Sequence, residues 1–328
     1  MTAAASGSRA SGRSDGRGRE ADRPQDVPPP GWKDILVRAW REVSANNIFL
    51  VSGGVTYAVL LALFPGLAAM VAIYGLLMDP AQIEKQVGAL TGILPDQSRQ
   101  LLTDELHQLV SASGGKLGVT AGLGLLIALW SASRGMSGMI TALDIAYEQP
   151  ERRSFFRFNL VAVLLTLGMI VGGLVALGLV AVLPATVQAI GLTGWVKWLA
   201  LILEWPLLAL LVIVGLAVLY RFATDRDSPQ WRWVSPGAIT ATVLWLLGSV
   251  AFSVYVGNFG SYDKTYGSLG GVVVLLTWLY LSMFAVIFGA VINAQAERQT
   301  RHDTTRGSPE AMGRRGARAA DTMGESPA

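Results

Sequence analysis

Polar groups set inside or beside long apolar runs are the residues of this chain whose types could do chemistry. Glu204 stands in Leu201-Ile-Leu-Glu-Trp-Pro206, and Asn293 lies near the end of the last apolar run. Arg134, Asp144 and Tyr147 follow a glycine-rich run, together with Ser131, Ser133 and Ser137. Tyr57 falls in the first apolar run, and Tyr262 and Tyr266 in the connection before the last. A charged side chain inside a bilayer costs at least about 2.5 kcal/mol on the lenient scale, so each such residue is a functional candidate by default. Groups of this kind suit the binding and passage of a polar or amphiphilic species.

Covalent and metal chemistry find little support. The chain has no cysteine, which excludes disulfides, thiolate metal sites, iron–sulfur clusters and a cysteine nucleophile. Its two histidines, His107 and His302, are far apart in sequence, so a histidine-based metal site is not expected. No cofactor is implied. The formal net charge of +3 does not argue for a nucleic-acid partner, because the arginines crowd into the tails and short connections. Membrane lipids are the expected partners, and the oligomeric state is not legible.

The elements that would position these residues are membrane spans. Hydrophobic residues make up 52% of the 328 and charged ones 15%, against roughly 25% charged in a soluble domain. Apolar segments fall at about 48–78, 117–133, 158–183, 196–221, 235–257 and 268–294. Most exceed the roughly 20 residues that cross a hydrocarbon layer. The second is short and rich in glycine, so its status rests on charge. The arm up to residue 49 carries eight Lys and Arg, the link 134–157 four, 221–234 three, and the tail after 294 six. The alternate links 79–116, 184–195 and 258–267 carry three, none and one. The link 79–116 spreads its three over a long stretch, so six spans put every high value on one side, the cytoplasmic one. The expectation is an all-α polytopic membrane bundle of six transmembrane helices, N-in and C-in. The first span should persist as a signal anchor, since it lies behind a long polar arm and exceeds a signal-peptide core.

Residues 1–31 and 299–328 have little to bury and are expected to be disordered cytoplasmic tails, leaving 32–298 as the membrane domain. Residues 32–46 place Trp32, Ile35, Leu36, Ala39, Trp40 and Val43 at helical spacing, with Lys33, Asp34, Arg38, Arg41 and Glu42 opposite. A helix lying on the inner membrane surface is expected there. Asp79-Pro80 starts a helix well, and apolar stripes on both sides of Pro95 predict an outer helical hairpin that rests on the membrane or caps the bundle.

Several positions carry two readings. Glu204 is intramembrane if its span begins near 196, or interfacial with Trp195, Trp198 and Trp205 if the span begins at Pro206. Pro65 and Pro206 are helix-kink positions, and broken helices line sites in transporters, but both prolines fall nearer the outer side. An inverted repeat would put them in opposite leaflets. Arg134 either joins Asp144 in a cytoplasmic-side polar network or snorkels. Gly118-x-x-x-Gly122 and Gly168-x-x-x-Gly172 predict close helix packing.

Three stretches together resemble a known family. They are Asn46 through Pro65, then Trp130-Ser-Ala-Ser-Arg-Gly135 with Ala142-Leu-Asp-Ile-Ala-Tyr147 and Glu151-Arg152-Arg153, and then Gly260-Ser-Tyr-Asp-Lys-Thr-Tyr-Gly-Ser-Leu-Gly270. Trp278-Leu-Tyr-Leu-Ser, Gly289-Ala-Val-Ile-Asn-Ala294 and the link Trp231 to Ala238 follow in order. Over residues 32–298 the chain resembles the YihY / virulence factor BrkB family of bacterial inner-membrane proteins. Members often carry Asn where Asp144 and Asp263 stand, and Glu where Val291 stands. The resemblance implies a multi-pass protein of the bacterial cytoplasmic membrane that is not an enzyme. Two roles follow from it: transport or flipping of a lipid or other amphiphile, or a non-transporting scaffold for envelope integrity. The family's older ribonuclease BN label is rejected here. A metal-dependent nuclease needs clustered His and Asp ligands, and no His-x-His-x-Asp-His string is present.

Overall fold

A computed structural model describes residues 16–77, 116–189, 194–258 and 268–325. The expected outer hairpin over 79–115, together with Tyr262 and Tyr266, lies outside the described residues. The helices are α1 (Pro29–Ala45), α2 (Ile48–Leu77), α3 (Lys116–Tyr147), α4 (Phe155–Ala189), α5 (Gly194–Phe222), α6 (Trp231–Asn258), α7 (Ser268–Glu297) and the short α8 (Arg318–Asp321). Among the described residues, α2 to α7 are long and apolar enough to cross a membrane. Hydrocarbon offers the backbone no partner, so each span must satisfy its own hydrogen bonds as a helix. That requirement carries α3 through its weak glycine-rich start and on into the polar stretch ending at Tyr147. Neither Pro65 nor Pro206 breaks its helix.

Sequence neighbours are spatial neighbours. Each membrane helix packs against the one before and the one after, and α7 closes the ring onto α2 while also touching α3 across it. Without a hydrophobic drive between helices in lipid, close approach of small residues sets the tightest contacts. On α3, a Cβ at Gly135 would stand 2.7 Å from Ala62 Cβ, and one at Gly138 would stand 3.2 Å from Ala58 Cβ. Gly237 of α6 and Gly289 of α7 meet backbone to backbone. The expected glycine pairs are not the packing ones: Gly122, Gly168 and Gly172 have open space where a Cβ would be. Further along, α6 and α7 exchange reciprocal bonds, Trp245 Nε1 to Ser282 Oγ at 3.1 Å and Trp278 Nε1 to Ser249 Oγ at 3.2 Å.

Burial is concentrated at one end. Ile140, Leu143, Tyr147, Tyr220, Ile287, Val291 and Ile292 belong to the main core, whereas residues 122–131 of α3 contribute no described buried side chain. That packed end also carries both tails, which corrects the expectation of disorder over 16–31 and 299–325. The backbone N–H of Arg301 bonds to Arg19 O at 2.8 Å, Thr300 Oγ1 to Ala21 O at 2.6 Å, and Gln299 Nε2 to Arg17 O at 2.7 Å. Arg315 gathers the C-terminal segment by donating to the carbonyls of Arg301, His302, Glu310 and Ala320. The tails are too polar to fold on a core of their own, but they complete backbone pairing with each other.

The helix α1 departs from its expected amphipathic division. Ile35, Ala39 and Val43 are buried, Leu36 and Trp40 remain exposed, and the charged Asp34 and Arg38 turn inward. Arg38 donates to Gln295 Oε1 at 2.9 Å, Gln295 O at 3.1 Å, Gln299 Oε1 at 2.7 Å and Glu325 O at 3.1 Å. Burial, followed by the charge of Arg19, brings its guanidinium down to about 10. This side chain joins α1, the end of α7 and the last residues described.

Candidate functional site

Two polar regions stand out. The first lies at the tail-bearing end, where α3, α5 and α7 finish. Arg226, just beyond α5, donates from Nη1 to both carboxylate oxygens of Glu297 at 3.0 Å, and both side chains are fully buried. Thr304 Oγ1 adds a 3.1 Å bond to Glu297. The Arg226 guanidinium lies 3.9 Å from the ring centroid of Tyr147, close enough for a cation–π contact. Asn293 spans the gap to α6, accepting from Gly237 N–H at 2.7 Å and donating to Val234 O at 3.1 Å. Tyr220 donates to Val286 O at 2.7 Å.

Beside this lies a second set of charges. Arg153 donates to Glu151 and, at 2.7 Å, to Ala223 O, and stands 3.9 Å from Asp225. Burial pushes the Glu151 carboxyl up, but the hydrogen bonds and charge of Arg153 outweigh it and leave the group below the usual range. Gln149 Nε2 donates to Asp225 O at 2.9 Å, and the Arg152 N–H to Asp225 Oδ2 at 2.9 Å. Asp144 is 6% exposed, and neither carboxylate oxygen has a hydrogen-bond partner.

The second polar region is the outward face of α3. Ile127, Trp130, Arg134, Thr141 and Ile145 are exposed along it, while Met136, Leu143 and Tyr147 on the far side enter the core. Arg134 lies thirteen residues before Tyr147, about 20 Å along the axis. Its guanidinium stacks 5.0 Å from the Trp130 ring centroid. Next to Trp130 is a cavity of about 390 Å³ lined by Leu123, Leu126, Ile127, Leu129, Trp130 and Val163. Among the described residues no group of three His, Cys, Asp or Glu is placed to hold a metal ion.

The family model described as virulence factor BrkB matches residues 39–314. The chain belongs to the BrkB family. It is similar to YfkH of Bacillus subtilis, whose name calls it a putative ribonuclease-like protein, with 33% identity across 74% of this chain and 88% of that one. It is also similar to the UPF0761 membrane protein IL2447 of Idiomarina loihiensis, at 25% identity over 77% of this chain and 87% of the relative. A third relative, the UPF0761 membrane protein RC1_0578 of Rhodospirillum centenum, is 26% identical over 81% of this chain and 58% of its own length. No solved structure matches. With its six apolar helices, this BrkB-family chain is a multi-pass bacterial membrane protein.

The fold of this BrkB protein gathers only part of the residues that its sequence singles out. Tyr147 and Asn293 meet at the tail end, Asp144 lies in the charged set of Glu151, Arg153 and Asp225 beside them, and Arg134 stands apart on the α3 face. Tyr57 is 63% exposed on the side of α2 away from Ser52 and Thr56. Glu204 sits beside the exposed Trp205, eighteen residues and about 27 Å from the exposed Phe222 at the other end of α5. Glu204 is itself buried, at 9% exposed, and falls near the start of the apolar stretch Ile202–Phe222. Arg226 and Glu297 were not singled out from sequence, and Arg153 only as part of a motif, because the two arginines lie in charged connections and Glu297 follows the last apolar run, where solvent exposure is the ordinary outcome. Their partners sit 71 and 70 residues away. No local pattern signals such pairs.

Proposed function

We propose that the protein moves a lipid or another amphiphile with an anionic headgroup along the α3 face of the bundle. The observation that carries this is Arg134, exposed twelve residues into the apolar stretch Gly122–Tyr147 of α3 and beside an apolar cavity. A guanidinium facing lipid at that depth is costly unless an anion meets it. Its planar donor fork suits a phosphate or carboxylate head. The cavity between α3 and α4 would take part of an acyl chain, and Ser137 and Thr141 extend a polar lane toward the tail-bearing end. Their hydroxyls donate back to Ser133 O and Ser137 O, which leaves their lone pairs to accept. We place that end in the cytoplasm, because the basic connections and both tails meet there. No reaction is assigned.

One observation favours the alternative of a non-transporting envelope scaffold. Asn293 and Tyr220 are each satisfied by backbone partners and act as braces between helices. The two readings separate in liposomes. Purified full-length protein should accelerate the flip of a labelled anionic lipid, and Arg134→Gln should slow it at least tenfold while leaving the melting temperature unchanged. No acceleration with anionic or zwitterionic lipids would sink the transport reading and leave the scaffold.

A further inference from the structure

We infer that Asp144 and Thr224 form a buried binding site for a monovalent alkali cation at the tail-bearing end of the bundle. Asp144 closes the last turns of α3 and is 6% exposed, and both of its oxygens are shut off from solvent without a partner. Thr224, in the link after α5, is 4% exposed, and its hydroxyl is also buried and unpartnered. The backbone N–H of Asp225 faces the Asp144 carboxylate without closing a hydrogen bond. On α4, the Asn159 carbonyl oxygen is another buried acceptor with no partner, in a side chain whose Nδ2 is already spent on Phe155 O at 2.7 Å. A buried, hydrogen-bondless carboxylate of this kind marks either strain or a missing ligand.

The charge balance says which ligand. The ionised groups that act on Asp144 are Glu151, Arg153 and Asp225. Arg153 is the one cation among them, and it is already committed to Glu151, to Ala223 O and, more distantly, to Asp225. Three carboxylates around one guanidinium leave an excess of negative charge beside an unpaired oxygen pair. A hard cation with oxygen ligands answers both needs. A single positive charge suffices, since Glu151 and Asp225 are held by Arg153 and by backbone amides and are not free to converge on a divalent ion. That agrees with the lack of a three-carboxylate metal cluster among the described residues. Ten residues, about 15 Å along α3, separate Asp144 from Arg134, and the site does not depend on lipid movement.

The test uses the full-length protein in nanodiscs, in choline chloride at constant ionic strength, with NaCl, KCl or LiCl exchanged in. The melting temperature should rise saturably with at least one of these cations, and radioactive sodium or its competition should report one site per chain. Asp144→Asn should abolish both responses and, having lost an unpaired charge, should melt no lower than wild type in choline. Thr224→Val should weaken the response at least tenfold, and Arg134→Gln should keep it in full. Absence of a saturable response to every alkali cation would overturn the site. So would retention of the response in Asp144→Asn, or a response to acid alone, which would make Asp144 a proton site instead.

Discussion

Asn293 and Gly237 are joined by a 2.7 Å hydrogen bond from the Gly237 N–H to Asn293 Oδ1, while Asn293 Nδ2 holds Val234 O at 3.1 Å. The two bonds straddle Pro236, whose ring nitrogen has no proton to give to the first turns of α6. Asn293 thus repairs a proline-interrupted helix from outside it. Asn293→Leu keeps the volume but leaves Gly237 N–H unpaired in the interior. It should lower stability by about 1–3 kcal/mol, read as a drop in melting temperature in detergent. An unchanged melting temperature would show that the brace is dispensable.

The glycines separate into two classes that one substitution distinguishes. A Cβ at Gly289 would lie 2.5 Å from the Tyr220 hydroxyl and 2.6 Å from Gly237 O, so Gly289→Ala should destabilise by about 1–3 kcal/mol or prevent folding. Gly168→Ala and Gly172→Ala meet open space and should be near neutral. Equal effects in both classes, measured by expression and thermal melting, would contradict the packing described.

Glu297 is the fully buried partner of Arg226. Glu297→Gln strands a guanidinium without its counter-charge, and the expected loss is about 3–5 kcal/mol. Joint replacement, Arg226→Met with Glu297→Met, should recover most of it, because neither charge then needs desolvation. If the double variant is as unstable as the single one, the pair contributes more than mutual compensation.

The extramembrane carboxylates set an acid limit. Burial raises Asp303, but bonds from Glu310 N–H and from the Thr305 N–H and hydroxyl outweigh it and leave the carboxyl below its usual range, as Arg153 does for Glu151. A carboxyl depressed in the folded state adds stability that is complete above its unfolded value. That stability is lost as pH falls through the folded value. Burial raises Glu42 and acts the other way, so the share owed to Asp303 is read as a difference: below about pH 5 the wild type should lose melting temperature relative to Asp303→Asn. A difference between the two that is independent of pH would refute this.

The proposed orientation can be tested directly, since the chain has no cysteine to remove. Ser308→Cys reports the exposed C-terminal segment and Trp198→Cys the exposed start of α5. A membrane-impermeant maleimide should label Trp198→Cys in intact cells, and Ser308→Cys only after the membrane is opened. The reverse pattern would invert the topology.

The sequence by itself determined the six spans and their order, because hydropathy and the alternation of basic residues are local properties that a bilayer reads segment by segment. It also marked Asp144, Tyr147 and Asn293 as polar residues worth following. The tertiary structure alone decided which of these meet. Arg226 finds Glu297 across 71 residues, and Arg38 finds Gln295 across 257, distances at which no periodicity carries a signal. The tails misled for the same reason. Their composition cannot build a core, yet a neighbouring chain segment supplies the carbonyls and charges that hold them. The packing glycines followed suit: Gly-x-x-x-Gly spacing permits close approach, but only the direction a helix face takes in the ring decides whether another helix stands opposite. Gly168 and Gly172 face open space, while Gly237 and Gly289, one on each of two helices, touch.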